Sequence, residues 1–315
     1  MKALITGATG QCAAYLAKHL IDQGHDVVGT IRPLSHHNFW RLDKLGIREE
    51  LTLLTADLTD STSIEAVVKN VKPDWLFNLA AASHVGTSFK CPAATIDVNA
   101  RGPLNIFEAV AKYSPDTRVY QASTSEQFGN QPIDMFGLNE LSPMKPVSPY
   151  GAAKLCAHNL AHIYRHQGVK ISCGIMFNCE SPLRGNTFVT QKICKGIAEF
   201  KKTGKKTSLG NLSACRDWGH ALDYVKAMQL ILEHDKPDDF VIATGKTHSV
   251  TDFMIAACYV GMVDPCEVFD VSLSEMRPYD LEYLKGDASK IKKHLGWTPT
   301  KTFDLIVMEM VQNAL

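Results

Sequence analysis

Residues 2–13 read KALITGATGQCA, in which a short apolar segment leads directly into a turn with two glycines. The pattern predicts a strand at Lys2–Thr6 and a helix at Gly10–Gln23. Glycines in such a turn let the backbone approach a pyrophosphate, and the first N–H groups of the helix attract that anion. The small Ala13 stands where a third glycine is usual. The stretch therefore favours dinucleotide binding over an ordinary strand–turn–helix.

Strand and helix patterns continue to alternate along the next 160 or so residues. Further strands are predicted at Asp26–Ile31, Leu51–Thr55, Trp75–Leu79, Arg118–Ala122 and Lys170–Met176. Helices are predicted at Ser61–Val71, near Ala93–Tyr113 and at Pro149–His166. This alternation is typical of parallel strands joined by crossover helices. The predicted fold class is α/β, a Rossmann-type doubly wound parallel sheet with a smaller C-terminal substrate-binding domain.

The alternation loosens after about Asn178, where loops rich in Gly, Pro, Asn and Arg separate helices at Val189–Lys201 and Gly219–Glu233. Such loops carry function more often than cores do. We expect a dinucleotide-binding domain at residues 1–177, with later segments returning to it. Residues 178–315 are expected to form mainly the substrate domain.

Composition excludes several classes of partner. Lys+Arg and Asp+Glu number 33 each, so no overall field favours nucleic acid or an anionic membrane. No apolar run is long enough to span a bilayer, and because a predicted strand follows Met1 directly, no signal peptide is expected. The nine cysteines are scattered without a C-x-x-C pair, which fits a reducing cytoplasm and predicts no metal site. The adjacent His36 and His37 are interpreted as a surface pair.

The end of the second strand bears on the choice of dinucleotide. The strand ends in Thr30-Ile31-Arg32, with Arg41 further along, where NAD sites usually carry an acidic residue. An arginine accommodates a 2′-phosphate, so we predict NADP; a solvated surface charge is the alternative for Arg32. Asp57 follows the third strand and is expected either to meet the adenine or to cap a helix.

Tyr150 and Lys154 form a Tyr-x-x-x-Lys pattern within a predicted helix. Positions four apart share one face of a helix. The lysine ammonium is therefore expected to lower the pKa of the phenol toward neutrality, with help from an oxidised nicotinamide, and to bond the nicotinamide ribose.

With these pieces in place, the chain resembles the extended short-chain dehydrogenase/reductases over nearly its whole length. More narrowly, it is similar to the GDP-mannose 4,6-dehydratases. The stretches that carry the resemblance are TGATGQCA, NLAAASHV, STSEQFG, SPYGAAKLCAHN, FNCESPLRGNTFVTQKI, LGNLSACRDWGHALDYVKAM, DDFVIATGKTHSV and LKGDASKIKKHLGW.

The resemblance implies an internal oxidation followed by elimination of water. Tyr150, as phenolate, would take the O4 proton while hydride leaves C4 for NADP+. Glu126 would remove the C5 proton and help to expel the C6 hydroxyl, after which hydride returns to C6. Thr124 would hydrogen-bond O4. A helix cap followed by a first-turn acid is the alternative interpretation of Thr124 and Glu126.

The resemblance also assigns binding residues. Those implied for the cofactor are Gly7, Thr9, Gly10, Gln11, Arg32, Arg41, Asp57, Leu58, Leu79, Ala80, Ala81, Ser83, Tyr150 and Lys154. Those implied for the sugar nucleotide, GDP-mannose or a related GDP-sugar, are Ser83, Ser125, Asn178, Val189, Lys192, Arg216, Arg277 and Asp280. Two positions depart from the usual family residues, since Asp280 replaces a glutamate and Gln191 an arginine.

The loop after the second strand departs as well. Related dehydratases often have Arg-Arg-Ser-Ser there, reaching a neighbouring subunit, and only Arg32 and Ser35 fit. A homodimer through the helices near Ala93–Tyr113 and Pro149–His166, or a homotetramer, is expected. The rival functions are a dehydratase of another GDP-sugar such as a manno-heptose, a sugar-nucleotide epimerase or reductase, and a non-catalytic dinucleotide sensor.

Overall fold

The structure is a computed structural model that describes residues 1–34, 38–131 and 135–315. Ser35, His36 and His37, which entered the predictions above, lie outside the described residues. The strands are β1 (Lys2–Thr6), β2 (Asp26–Ile31), β3 (Thr52–Thr55), β4 (Trp75–Asn78), β5 (Arg118–Thr124), β6 (Ile171–Met176), β7 (Asn178–Glu180), β8 (Thr207–Leu209), β9 (Cys215–Arg216), β10 (Trp218–His220), β11 (Asp239–Ile242), β12 (His248–Ser249) and β13 (Phe269–Val271).

Thirteen α-helices accompany these strands in the described ranges. They are α1 (Gln11–Asp22), α2 (Trp40–Lys44), α3 (Ser61–Val71), α4 (Val85–Lys90), α5 (Pro92–Ile96), α6 (Gly102–Tyr113), α7 (Pro149–His166), α8 (Val189–Thr203), α9 (Ala221–Glu233), α10 (Val250–Gly261), α11 (Pro265–Val268), α12 (Ser289–Leu295) and α13 (Phe303–Ala314). None of the described helices combines the length and the apolar character needed to cross a membrane.

Seven strands form one parallel sheet in the order β3-β2-β1-β4-β5-β6-β11. Strand order reverses between β1 and β4, which is the topological switch point of a doubly wound sheet. The predicted fold class is therefore confirmed. The crevice at a switch point, beyond the carboxyl ends of the strands, is where such sheets bind ligands.

Helices cover both faces of this sheet because alternate strand residues point to opposite sides. Ile5 and Phe77 pack toward the helices α1 and α9, in a core that contains Leu16 and Met228. On the other face the core is built from α3, α6 and α7. Its buried members include Leu4, Leu76, Val119, Ile64, Val68, Phe107, Val110 and Ala161. Each strand is thus apolar on both sides, as expected for a covered parallel sheet.

Several predicted boundaries are confirmed without change, among them Lys2–Thr6, Asp26–Ile31 and Pro149–His166. Two differ in ways that affect the cleft. Strand β5 runs on to Thr124 because those residues pair with β6 as far as Met176. The single helix predicted near Ala93–Tyr113 is instead α5, a π-helical turn and α6.

The later part of the chain has its own core and also rejoins the central sheet. Buried residues of α8, α10 and α13 pack together, including Ile193, Phe253 and Met310. Strand β11 pairs with β6 in parallel, with Asp239 opposite Cys173. The expected division after residue 177 stays a prediction.

Candidate active site

A cleft of about 1410 Å³ lies beyond the carboxyl ends of the central strands. All the residues that the sequence assigned to catalysis, cofactor or substrate line it. They come from the glycine turn, from the ends of β2, β4 and β5, from α7, and from loops beyond β7. The fold therefore brings the whole predicted set together, while the role of each residue stays a prediction.

The glycine turn begins at Gly7, whose φ is +69°, a conformation that favours glycine. A Cβ on Gly7 would lie 2.9 Å from the Cα of Ala80, so a side chain would also collide with the neighbouring strand end. Gly10 precedes α1, and within the described residues no side chain caps this helix end. Its first N–H groups are therefore available to an anion, which fits the pyrophosphate of a dinucleotide.

The side chain of Gln11 has a structural task. Its Nε2 donates to the carbonyl oxygen of Cys179 at 3.0 Å, and Ser181 Oγ donates to its Oε1 at 2.7 Å. These bonds join the start of α1 to β7. Any contact of Gln11 with a cofactor would consequently use its backbone N–H.

At the far end of the turn, Arg32 is exposed and Arg41 is held in place. The guanidinium of Arg41 donates to the carbonyl oxygens of Leu183 at 2.8 Å and of Thr9 at 3.0 Å. Arg41 therefore connects the turn to the loop after β7. Arg32 is the better candidate for a contact with a ligand, since its side chain lies in the open rim of the cleft.

Asp57 does not cap α3, so that alternative was wrong. The cap is Asp60, whose side chain accepts from the backbone N–H of Thr62 at 3.0 Å. Asp57 instead closes a turn by accepting from the backbone and hydroxyl of Thr59. Those bonds, with a smaller contribution from the charge of Arg32, hold the pKa of Asp57 below its usual value although burial opposes them.

Tyr150 lies in the first turn of α7, which Ser148 caps by accepting from the N–H of Gly151 at 3.0 Å. A Cβ on Gly151 would lie 2.7 Å from the carbonyl oxygen of Glu126, so the absent side chain lets the helix approach that segment closely. The Thr124 side chain and the Glu126 charge both affect the pKa of the Tyr150 phenol, so the three groups lie near one another in the cleft.

Thr124 also caps the short 3₁₀ turn that carries Glu126, because its hydroxyl accepts from the Glu126 N–H at 3.3 Å. The cap interpretation of this pair is confirmed. It does not compete with a chemical role, since both residues line the cleft. The cap fixes the position of the carboxylate relative to the phenol.

The protein surroundings of Tyr150 raise the pKa of its phenol. Burial raises the pKa of Tyr150 to about 12, and the Thr124 hydrogen bond opposes this only in part. Lys154 donates its Nζ to the carbonyl oxygen of Ala122 at 2.6 Å, and burial lowers its own pKa to about 8. That Lys154, with help from an oxidised nicotinamide, brings the phenol toward neutrality stays a prediction.

The surroundings of Glu126 shift the pKa of its carboxyl in the direction that suits a proton-transfer group. Burial raises the pKa of its carboxyl above the usual value, while the charges of Arg216 and Arg277 hold the rise back. A carboxyl with a raised pKa holds an abstracted proton more readily and can then return it.

Another part of the cleft wall, the arginine end, carries Arg216 and Arg277. Arg216 donates to Asp280 Oδ1 at 2.9 Å and to the carbonyl oxygen of Leu281 at 2.8 Å. Arg277 approaches the same Oδ1 at 3.3 Å. Asp280, which was expected to reach a ribose or base, holds two guanidinium groups together here. Lys192 pairs with Glu275 at 2.7 Å on the rim.

Sequence reasoning missed Arg184, which also lines the cleft. Its Nε lies 3.2 Å from the buried carboxylate of Glu180, and its guanidinium lies 3.6 Å from the centre of the Phe188 ring. Phe188 in turn contacts His84 edge to face. The available signal was the i, i+4 spacing of Glu180 and Arg184 in ESPLR, a stretch used only for resemblance.

Three buried side chains with metal-ligating atoms lie together where α7, β6 and β11 meet, namely His158, Cys173 and Asp239. Arg165 donates to Asp239 at 2.6 Å, and its positive charge opposes a cation there. Burial raises the pKa of Cys173 well above its usual value, so the thiol keeps its proton. These features favour a hydrogen-bonded ion-pair cluster.

Comparison with known proteins places this geometry in context. The sequence profile of the family described as GDP-mannose 4,6 dehydratase matches residues 4–310. GDP-mannose 4,6 dehydratase 2 of Arabidopsis thaliana is 41% identical over 327 residues, which cover 99% of this chain and 86% of that protein. GDP-mannose 4,6 dehydratase of Homo sapiens is 40% identical over 339 residues, which cover 98% of this chain and 90% of that protein.

Among solved structures, UDP-glucose 4-epimerase of Thermus thermophilus in complex with NAD superposes with a TM-score of 0.88. The two chains are 22% identical, and the superposition covers 100% of this chain and 99% of the epimerase. At that identity the likeness concerns the fold.

Proposed function

This chain belongs to the GDP-mannose 4,6 dehydratase family, and we propose on that premise that it converts GDP-mannose to GDP-4-keto-6-deoxymannose and water. The observation that carries the proposal is the meeting of Glu126 with Thr124 and Tyr150 in one cleft. An alcohol oxidation alone needs only the phenol and the threonine. A carboxylate beside them supports a second step in which a C–H proton is removed.

The cofactor proposed for the cleft is NADP. A nicotinamide dinucleotide fits the residues present, because Gly7 and Gly10 allow close approach and the start of α1 lacks a side-chain cap among the described residues. Arg32, exposed on the rim, would hold the 2′-phosphate. When bound, the dinucleotide supplies a hydride acceptor that later becomes the donor.

The chain's own residues divide the proton transfers. Tyr150 takes the proton of the 4-hydroxyl, and the Thr124 hydroxyl orients that oxygen and donates to the 4-keto group that forms. Glu126 then removes the C5 proton, which the neighbouring ketone acidifies. The Glu126 carboxyl then donates this proton to the 6-hydroxyl, which departs as water. The raised pKa of Glu126 supports this shuttle.

The nucleotide diphosphate is proposed to bind at the arginine end. Arg216 and Arg277 share one carboxylate oxygen of Asp280, which leaves guanidinium N–H groups for phosphate oxygens. The remaining members of the proposed substrate wall are Ser83, Ser125, Asn178, Val189 and Lys192. Arg184 joins the set because it lines the same cleft, with its guanidinium held against Phe188.

A homodimer is proposed through the face that carries α5 and α7. Ile96 and Ile163, one on each of these two helices, have half of their surface exposed, at 50% and 52%. Burying such side chains against a second copy would remove apolar surface from water. Light scattering on the purified protein measures the mass directly, and a monomer would contradict this part of the proposal.

The activity is tested by incubating purified protein with GDP-mannose and a trace of NADP+ and following the sugar nucleotide by mass spectrometry. The proposal expects a product lighter by one water, without accumulation of NADPH. Tyr150→Phe is the matched control, since it removes one oxygen and keeps the ring. An unchanged mass with wild-type protein would contradict the substrate, and GDP-manno-heptose would be tested next.

A further inference from the structure

Two cysteines from distant parts of the chain meet in the wall of the cleft. Cys12 is the second residue of α1, directly after the glycine turn, and Cys179 is the middle residue of β7. Their Sγ atoms lie 3.2 Å apart. Both residues line the cleft, and Cys12, which is half-buried, is more exposed than the buried Cys179.

The two sulfurs are held together by the fold around them. Gln11, next to Cys12, donates to the carbonyl oxygen of Cys179 and accepts from Ser181. Strand β7 is fixed from its other side by β10, where Gly219 lies opposite Cys179. Contact between the thiols therefore requires no movement of a loop.

The surroundings give the two thiols different properties. A hydrogen bond from Cys179 and the charge of Arg184 lower the pKa of Cys12, although burial opposes them. A position in the first turn of a helix also favours a thiolate. The same hydrogen bond, together with burial, raises the pKa of Cys179 well above its usual value. Cys12 is thus suited to be the nucleophile and Cys179 the second thiol.

We propose that Cys12 and Cys179 are a redox-active dithiol that a peroxide converts to a disulfide at the glycine turn. The Cys12 thiolate attacks one peroxide oxygen, so an S–O bond forms, the O–O bond breaks and hydroxide leaves. The Cys179 sulfur gives up its proton and attacks the Cys12 sulfenic acid, forming the S–S bond and releasing water. Overall two thiols lose two electrons and one peroxide becomes two waters. A small dithiol reverses the change by exchange.

The disulfide would alter the start of α1, an effect that rests on the proposed function of the cleft. An S–S bond is about 2.05 Å long, so sulfurs now 3.2 Å apart must approach by roughly 1 Å. Because Cys12 is in the first turn, this movement displaces the N–H groups proposed to hold the diphosphate. Loss of one charge-assisted hydrogen bond raises a Kd about tenfold or more, so we expect dinucleotide affinity to fall at least about tenfold.

The first test maps the bond in the full chain. Reduced protein is treated with one equivalent of hydrogen peroxide, blocked with iodoacetamide and digested without reductant. We expect a peptide joining Cys12 to Cys179 to form before any modification of the exposed Cys91 and Cys266, and dithiothreitol to remove it. In Cys179→Ser, dimedone should trap the Cys12 sulfenic acid. A wild-type protein without the cross-link, or with Cys91 oxidised first, would overturn the proposal.

The second test measures dinucleotide affinity by calorimetry with NADP+ and with NAD+. Oxidised wild type should show a Kd at least about tenfold higher than reduced wild type, and dithiothreitol should restore it. Peroxide should leave the Kd of Cys179→Ser unchanged. A cross-link with an unchanged Kd overturns the regulatory effect. If the reduced protein binds neither dinucleotide, the proposed function fails. The cross-link in the first test still decides whether Cys12 and Cys179 are a redox-active pair.

Discussion

Lys154 donates its Nζ to the carbonyl oxygen of Ala122 at 2.6 Å, so the ammonium of α7 is held against β5 two residues before Thr124. This contact fixes the strand end that carries the threonine. Burial lowers the pKa of Lys154 to about 8, so its charge is present at neutral pH and is lost as the pH rises through that value.

The first prediction concerns the alkaline limb of the pH profile. If the Lys154 charge is needed, kcat/KM should decline above a pH of about 8 in the wild type. Lys154→Arg keeps a positive charge at all these pH values, because the guanidinium pKa is above about 12. The pH profile of kcat/KM for Lys154→Arg, measured with saturating dinucleotide, should lack this alkaline decline, even if the highest kcat/KM of the variant is lower. The same limb in both proteins would exclude Lys154 as its source.

Tyr150→Phe should reduce turnover of the sugar nucleotide by at least about 100-fold, the usual contribution of a positioned acid–base group. Oxidation and dehydration should fail together, because the proposal makes oxidation the entry to elimination. Dinucleotide affinity, measured by calorimetry, should stay within about threefold, since the ring still fills its buried position. Product formation at the wild-type rate would remove Tyr150 from the mechanism.

Glu126→Gln should separate the two stages. Glutamine keeps the size of the side chain and cannot accept the C5 proton. Elimination should therefore slow by about 100-fold or more, while oxidation at C4 slows much less. Reduced dinucleotide, which does not build up in the wild type, should accumulate in a single turnover and is followed by its fluorescence. Equal loss of both stages would contradict the assignment.

The choice of dinucleotide should depend on Arg32. Loss of a charge-assisted hydrogen bond costs about 1.5–3 kcal/mol, or about tenfold to hundredfold in Kd. Arg32→Asp should raise the Kd for NADP+ by that factor and leave the Kd for NAD+ unchanged or lower. Arg41→Met is the contrasting variant: its guanidinium holds backbone oxygens of Thr9 and Leu183, so affinity for both dinucleotides should fall. If the ratio of the two Kd values in Arg32→Asp is the same as in the wild type, Arg32 is a solvated surface charge and does not select the dinucleotide.

Stability should decrease in mild acid because of His158. Burial, as the largest cause, lowers the pKa of His158 to about 4 from the ordinary 6.5, although the charge of Asp239 opposes this. The unfolded chain takes up a proton below pH about 6.5, and the folded protein does so only near pH 4. Between pH 7 and pH 5 the unfolding free energy should drop by about 2 kcal/mol on account of this residue.

Urea unfolding at the two pH values measures that drop, with His158→Gln as the control. The variant is less stable at pH 7 because a buried hydrogen-bonding group has changed, but it should have lost the His158 part of the pH dependence. A drop of equal size in the variant would assign the effect to other groups.

The fold could be predicted from the sequence because the glycine turn and the alternation of strands with helices are local patterns. Gly7, with its positive φ, and the strand before it could be placed from residues 2–13 alone. The two-residue extension of β5 to Thr124 could not be predicted in this way. It depends on pairing with β6, whose sequence lies nearly fifty residues later.

Electrostatic roles were harder to predict than positions. The i, i+4 spacing of Tyr150 and Lys154 was correct, yet burial dominates the pKa of both groups, and the lysine bonds a strand carbonyl. The pair Cys12–Cys179 was missed because it depends on a contact across the fold, whereas Arg184 was missed although its contacts with Glu180 and Phe188 are local. Spacing within one element shows which residues share a face, and it does not show what lies opposite.

The place of β11 has a practical consequence for recombinant fragments and chimeras. A fragment that stops at residue 177 would contain the whole glycine turn and six strands of the sheet, but it would lack Asp239–Ile242. Strand β6 would then be an open edge of mostly buried apolar residues, which is the kind of edge that recruits other chains and aggregates. A nucleotide-binding fragment of this protein would therefore have to include the seventh strand of the sheet, β11, which comes from the second half of the sequence.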